Sequence, residues 1–231
     1  MCALVGKLDR RPFWFVIFSG VPRILGAEFA TSKTGISVRG PIALTGTLYF
    51  IVGPSGCGKD SLISYARERL TRDDGVLFAR RHITRPPDDR AEKHIPLKRE
   101  QFFNRCDRGE FLVAWKAHDL YYGVDKSVLR DLAAGFDVVV NGSRAQIEAV
   151  RRRVKNVVVV SVGCEKTVLK QRLQTRGREK PEQIEARLKR ASLYSVCDDP
   201  DVIHIDNNDK VCVAGERLCE VLSRRHAAAA I

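Results

Sequence analysis

The sequence has no apolar run near the roughly 18 residues that a membrane-crossing helix needs, so a membrane span is not expected. Its seven cysteines (Cys2, Cys57, Cys106, Cys164, Cys197, Cys212 and Cys219) form no C-x-x-C pair and no Cys/His cluster with zinc spacing. A structural metal site is therefore not expected. There is no internal repeat, and no low-complexity tract beyond Ala227–Ala230. Acidic side chains are scarce: 28 stand against 40 basic ones, for a net charge of +12. That balance calls for an anionic partner, whether nucleic acid, a membrane surface or phosphorylated small molecules. What is present is 44% hydrophobic and 29% charged residues over 231 positions, enough for one α/β domain with a sizeable core. Disorder, collagen and coiled coil are excluded.

Residues 1–45 differ from the rest, with six basic and two acidic side chains supplying +4 of the net charge. The apolar stretch Phe13–Phe18 is shorter than a signal-peptide core, and the segment reads as a poorly ordered extension without a chemical role. Without a secretory signal, the scattered cysteines suit reduced thiols in a cytoplasmic enzyme. From Thr47 the pattern becomes regular. Short apolar runs at 48–52, 76–79, 136–140, 157–162 and 202–205 read as strands covered on both faces. Helical patterns fall at about 59–72, 126–134, 143–153, 165–176, 181–193 and 211–225. The alternation predicts an α/β domain over 46–225, with a central parallel sheet flanked by helices. Residues 82–125, rich in Pro, His and aromatics, break the alternation and read as a small inserted lobe.

Gly53-Pro54-Ser55-Gly56-Cys57-Gly58-Lys59 has the spacing G-x-x-x-x-G-K between a buried strand and an amphipathic helix. Glycines let the backbone curl so that successive N–H groups face phosphate oxygens, and Lys59 can reach the β- and γ-phosphates. ATP is the expected nucleotide. Where Ser or Thr usually follows the lysine to ligate Mg²⁺, this chain has Asp60 and then Ser61. Two readings of Asp60 stay open: a hard oxygen ligand for Mg²⁺, with Ser61 as the neighbouring hydroxyl, or a first-turn carboxylate favoured by the helix dipole. Further on, Arg172 and Arg176 share a helix face, and Arg187 lies on the next helix across a turn marked by Gly177 and Pro181. Guanidiniums on two helices suit an Arg-rich lid over 172–187 that closes on transferring phosphates.

The order of the phosphate loop, Thr84-Arg85-x-Pro87, Tyr121-Tyr122-Gly123, Arg172-Leu-x-x-Arg176-Gly and Arg187-Leu resembles the guanylate kinase family over about 46–225. The resemblance implies that Arg85 and Tyr122 grip the acceptor's phosphate. The base-reading positions depart from that family: Ala114 precedes Trp115, Val124 follows Gly123, and Asp88 replaces a second phosphate-gripping arginine. A guanine pocket without polar partners loses affinity and specificity together.

The departures resemble another family. Gly-Lys-Asp60-Ser61, Arg81-His82-Ile-Thr84-Arg85-Pro86, Glu92-x-His94, Trp115-x-Ala-His118-x-Leu-x-Tyr122-Gly and Val140-Asn141-Gly-Ser143-Arg144 are similar to the ribose 1,5-bisphosphate phosphokinases of phosphonate breakdown. One position departs: Arg90-Ala91 stand where that family has Gly-Gly. This resemblance implies transfer of the γ-phosphoryl of ATP to a phosphorylated sugar, giving phosphoribosyl pyrophosphate. Lys59, Arg172, Arg176 and Arg187 would stabilise the transferring group. Arg85, His94, His118, Tyr122, Asn141, Ser143 and Arg144 would hold the acceptor, the last three at the carboxyl end of a central strand, where open sheets place ligands. Asp206-Asn207-Asn208 after the last strand is a candidate border for adenine. No general base is needed, because a phosphomonoester with its second pKa near about 6 is already anionic at neutral pH. A nucleoside monophosphate kinase and a non-catalytic guanylate kinase-like interaction module are the alternatives; Lys59 argues against the second. No nucleic-acid recognition motif is present, so small phosphorylated substrates account for the charge.

Overall fold

The computed structural model describes residues 44–86, 93–117, 119–177, 181–193 and 199–228. Pro87, Asp88, Arg90, Ala91, Glu92 and His118 lie outside them. Five parallel strands form the main sheet: β1 (Leu48–Val52), β2 (Val76–Phe78), β7 (Asp137–Asn141), β8 (Val157–Gly163) and β9 (Val202–Asp206), in the order β2-β7-β1-β8-β9. β1 is central and every one of its residues is buried, as its unbroken apolar run requires. Its side chains alternate between two cores. Leu48, Phe50 and Val52 join Val138, Val140 and Val159 on one face, while Tyr49 and Ile51 join Leu62, Leu218 and Leu222 on the other. The second face is covered by α1 (Lys59–Arg67) and α7 (Val211–Ala228), and α7 approaches so closely at Gly215 that a Cβ there would overlap the Tyr65 ring.

The inserted lobe is a second, four-stranded sheet in the order β4-β3-β6-β5, built from β3 (His82–Ile83), β4 (Ile95–Pro96), β5 (Phe111–Ala117) and β6 (Leu120–Asp125). α2 (Arg99–Asp107) covers it, with the Phe102 ring stacked 4.9 Å from that of Phe111. His82 belongs to this lobe's core, 5% exposed, its ring 5.5 Å from that of Phe111; burial, reinforced by the Arg105 charge, pushes its pKa down. The remaining helices are α3 (Val128–Ala133), α4 (Ile147–Arg151), α5 (Lys166–Arg176) and α6 (Pro181–Leu193).

The five strands of the main sheet fall within a residue of their expected positions. The helix expected over 59–72 stops at Arg67, because Asp74 Oδ2 accepts from both the amide (2.7 Å) and the hydroxyl (3.0 Å) of Thr71 and turns the chain early. The stretch 143–153 divides into a 3₁₀ turn at Arg144–Gln146 and α4. Leu44 already packs against the core, two residues before the domain start expected from sequence.

Candidate active site at the carboxyl end of the sheet

The phosphate loop runs from the end of β1 into α1. Gly58 has φ 97°, a left-handed conformation, and a Cβ there would overlap the Asn207 amide nitrogen. Gly53 has φ 147°, and a Cβ would overlap the Val162 carbonyl oxygen. The loop is thus seated on the ends of β8 and β9. Lys59 folds over it, Nζ donating to the carbonyl oxygens of Gly53 and Pro54 at 2.8 Å each. Asn207, 2% exposed, donates through Nδ2 to the Cys57 carbonyl at 2.7 Å, and Arg172 donates to the same oxygen at 3.3 Å. Asn208 Oδ1 accepts from the Glu165 amide at 2.7 Å, at the start of α5. Asn207 therefore braces the phosphate loop, and Asn208 the start of α5.

α5 and α6 pack together through Leu169, Leu173, Ile184 and Leu188. That small core carries Arg172 to Cys57 and sets Arg187 2.9 Å from the Ser55 hydroxyl, to which it donates. Both expected lid arginines with described side chains reach the loop. Arg176 ends α5, and its side chain lies outside the described residues. Arg172 also lies beside Cys164, whose thiol burial pushes upward against that charge.

The register of the main sheet opposes Ile51 to Asn141, and a Cβ on Gly142 would overlap the Phe50 ring. This brings β7 to the first turn of α1, where Asn141 Nδ2 donates to Asp60 Oδ1 at 2.5 Å. Arg81, one residue before β3, lies 3.8 Å from the same oxygen. Ser143 and Arg144 follow at the same carboxyl end of the sheet, leading into the 3₁₀ turn.

In the inserted lobe Ile83 is paired with Tyr122, and Thr84 exchanges two hydrogen bonds with the Tyr121 main chain, at 3.1 Å and 2.9 Å. Thr84-Arg85 therefore lies beside Tyr121-Tyr122. The Tyr122 ring stacks on Trp115, centroids 5.5 Å apart and planes 8° from parallel. The Arg81 guanidinium sits 5.3 Å from the centre of the Tyr122 ring. Burial raises the Tyr122 pKa; the charges of Arg81, Arg85 and Arg187 work against it, and that of Asp60 with it. These contacts bring the Tyr122 side of the lobe next to Asp60 at the phosphate loop. Val124, where a base-reading hydroxyl would stand, is 1% exposed and part of the core.

His94 is 5% exposed and its Nε2 donates to the Arg85 carbonyl at 3.1 Å. It supports the backbone that carries Arg85. Arg80 does similar work, donating to the carbonyls of Lys93 and His94 at 3.1 Å each. The sequence places Arg81 in a motif without a role and does not single out Arg80. The one available signal was the run Arg80-Arg81-His82 opening a strand.

Among the described residues no group of three or more His, Cys, Asp or Glu is arranged to hold a metal ion. Mg²⁺ asks for less: one or two carboxylates with substrate phosphates and water completing its shell. Asp60 offers a half-exposed carboxylate at the loop, beside the Ser61 hydroxyl, so the donor set fits that ion.

A glycine loop seated on a parallel sheet, guanidiniums from two helices reaching it and an inserted lobe facing it define a P-loop kinase of guanylate kinase-like architecture. A family model described as an AAA domain matches residues 50–191. The chain is 42% identical over 177 residues to "Ribose 1,5-bisphosphate phosphokinase PhnN" of Psychromonas ingrahamii, covering 77% of this chain and 90% of that protein. It is also 42% identical over 178 residues to the protein of the same name from Thiobacillus denitrificans, covering 77% and 93%. In fold it is similar to a guanylate kinase from Anaplasma phagocytophilum, with TM-score 0.58 and 19% identity over 78% of this chain and 86% of that one. The chain belongs to the PhnN family of ribose 1,5-bisphosphate phosphokinases.

Proposed function

We propose that this protein transfers the γ-phosphoryl group of ATP to the 1-phosphate of ribose 1,5-bisphosphate, forming phosphoribosyl pyrophosphate in phosphonate breakdown. The observation that carries the reading is the pairing of an intact phosphate loop with an acceptor lobe that presents Arg81, Arg85 and Tyr122 and no polar partner at Val124. Phosphoryl transfer asks for alignment and charge neutralisation more than for covalent help. Loop amides and Lys59 hold the β- and γ-phosphates, Lys59 exchanging its two carbonyl partners for phosphate oxygens. Arg172 and Arg187 reach the same loop and would neutralise the charge that spreads on the transferring group. Asp60, with Ser61 nearby, would hold Mg²⁺, which when bound would supply further charge neutralisation on the phosphates. Arg85, Tyr122, Asn141, Ser143 and Arg144 hold the acceptor, with His94 fixing Arg85 from behind. Arg176 and His118 keep their proposed places in the lid and the acceptor site. Residues 46–225 form the catalytic domain. The free thiols of Cys57, Cys106, Cys164, Cys212 and Cys219 suit a cytoplasmic setting.

A coupled ADP-release assay with ribose 1,5-bisphosphate, GMP, AMP and no acceptor tests the reading. ADP should form fastest with ribose 1,5-bisphosphate, and its release should require Mg²⁺. Faster turnover of GMP would overturn the assignment.

A further inference from the structure

Three cations of the ATP side rest on oxygens of the phosphate loop itself: Lys59 on the carbonyls of Gly53 and Pro54, Arg187 on the Ser55 hydroxyl, and Arg172 on the Cys57 carbonyl. Each must let go of the loop to meet a phosphate. Gly53 and Pro54 are partly exposed and Ser55 is exposed, so water can replace the cation there. Cys57 is different. It has no exposed surface, and a buried carbonyl left without a donor is costly.

Among the described residues the Cys57 carbonyl has two donors, and they are unequal. Asn207 Nδ2 lies at 2.7 Å, while Arg172 Nη1 lies at 3.3 Å, beyond the usual range for such a bond. Asn207 is also the more firmly held. It stands one residue past β9, its amide donates to the Gly163 carbonyl at the end of β8 at 2.9 Å, and it is 2% exposed. Gly58 leaves it room, since a Cβ there would lie 2.3 Å from Nδ2. Arg172 is only partly buried, and its other polar neighbour is the Cys164 thiol, a weak acceptor. A guanidinium gains far more from phosphate oxygens than from a neutral carbonyl or a thiol. The departure of Arg172 is therefore easy as long as Asn207 stays.

We infer that Asn207 is a positioning residue for phosphoryl transfer: by keeping the Cys57 carbonyl hydrogen-bonded, it lets Arg172 leave that oxygen for the transferring group without stranding a buried acceptor. The inference rests on the kinase reading above, and its test reads the two apart.

ADP release by the wild type with ribose 1,5-bisphosphate is measured first; no release would sink the kinase reading, whereas the place of Arg172 is read in crystals. A crystal structure of the wild type with ADP, Mg²⁺ and aluminium fluoride, a mimic of the transferring group, should show Arg172 on the fluoride. Asn207 Nδ2 should still lie within hydrogen-bond distance of the Cys57 carbonyl. Arg172 remaining on that carbonyl, or Asn207 leaving it, overturns the proposal. In solution, Asn207→Ala and Asn207→Leu both remove the donor, the first leaving a cavity and the second filling it. Each should lower kcat by about 10- to 100-fold, the range for stranding a buried acceptor. KM for ATP should stay within about threefold, the pattern of an effect felt only in the transition state. The loss should also travel through Arg172: with Arg172→Ala already in place, adding Asn207→Ala should lower kcat by less than about threefold. A residue that merely shaped the loop would weaken binding of AMP-PNP with Mg²⁺ and slow both backgrounds alike, and that result overturns the proposal. A thermal melt accompanies each variant; if neither Asn207 variant folds, the crystal structure of the wild type decides.

Discussion

Lys59 spends its positive charge on two carbonyls of its own loop. Those partners hold the ammonium over the place where phosphates are expected and keep the glycine loop curled around it. Lys59→Ala removes the charge and its contacts, yet leaves the buried apolar side chains of both cores in place. The variant should fold with an ordinary thermal transition while kcat falls by at least about 10²-fold, the scale of losing one preorganised group at a developing charge. A coupled ADP-release assay beside a circular-dichroism melt checks both halves; a near-normal rate would contradict the role. Asp60 illustrates a residue that sequence could only leave open. Its first-turn position satisfies the helix dipole, and its contacts with Asn141 and Arg81 tie it to two other elements. Those contacts join residues 81 and 21 positions away, so no local pattern could announce them.

Among the elements, the pair α5 and α6 shows how packing positions chemistry. Leu169 and Leu173 face the phosphate loop, Leu173 so closely that a Cβ on Gly56 would lie 2.9 Å from its Cδ2. Leu173 is fully buried, and one position before it Arg172 reaches the Cys57 carbonyl. Leu173→Ala should therefore cost about 2–4 kcal/mol of stability through lost contacts and a cavity. Because the cavity lies between lid and loop, kcat should fall as well, through misplacement of Arg172 and Arg187. Denaturant unfolding and steady-state kinetics on the same preparation check the pair of effects; lost stability with unchanged kcat would separate the core from the lid. The two arginines were legible as a pair on successive helices because helical patterns and the turn at Gly177 and Pro181 are written locally. The bracing of Cys57, the acceptor of Arg172, by Asn207 150 residues away was not.

Over the whole molecule, net charge +12 resolves into a small segment and a domain. Ala43–Ile231 forms a compact unit by itself, and Leu44 is packed into its core. Assigning catalysis to this unit predicts that removing residues 1–42 leaves kcat/KM for ribose 1,5-bisphosphate within about twofold, because the cut spares every group placed in the cleft. A kinetic comparison of the two lengths tests this, and a large loss would give the segment a part in the reaction. The sequence by itself determined the parallel α/β sheet, the phosphate loop and the inserted lobe as a break in the alternation. Apolar runs, helical periodicity and glycine spacing are local quantities, and strands buried on both faces leave few alternatives. Only the tertiary structure decided that the lobe is a four-stranded sheet and that His94 braces Arg85. The same holds for Arg81, which lies between Tyr122 and Asp60. Those outcomes depend on which strand ends meet and on which buried donors find acceptors, and both are set when distant segments pack together.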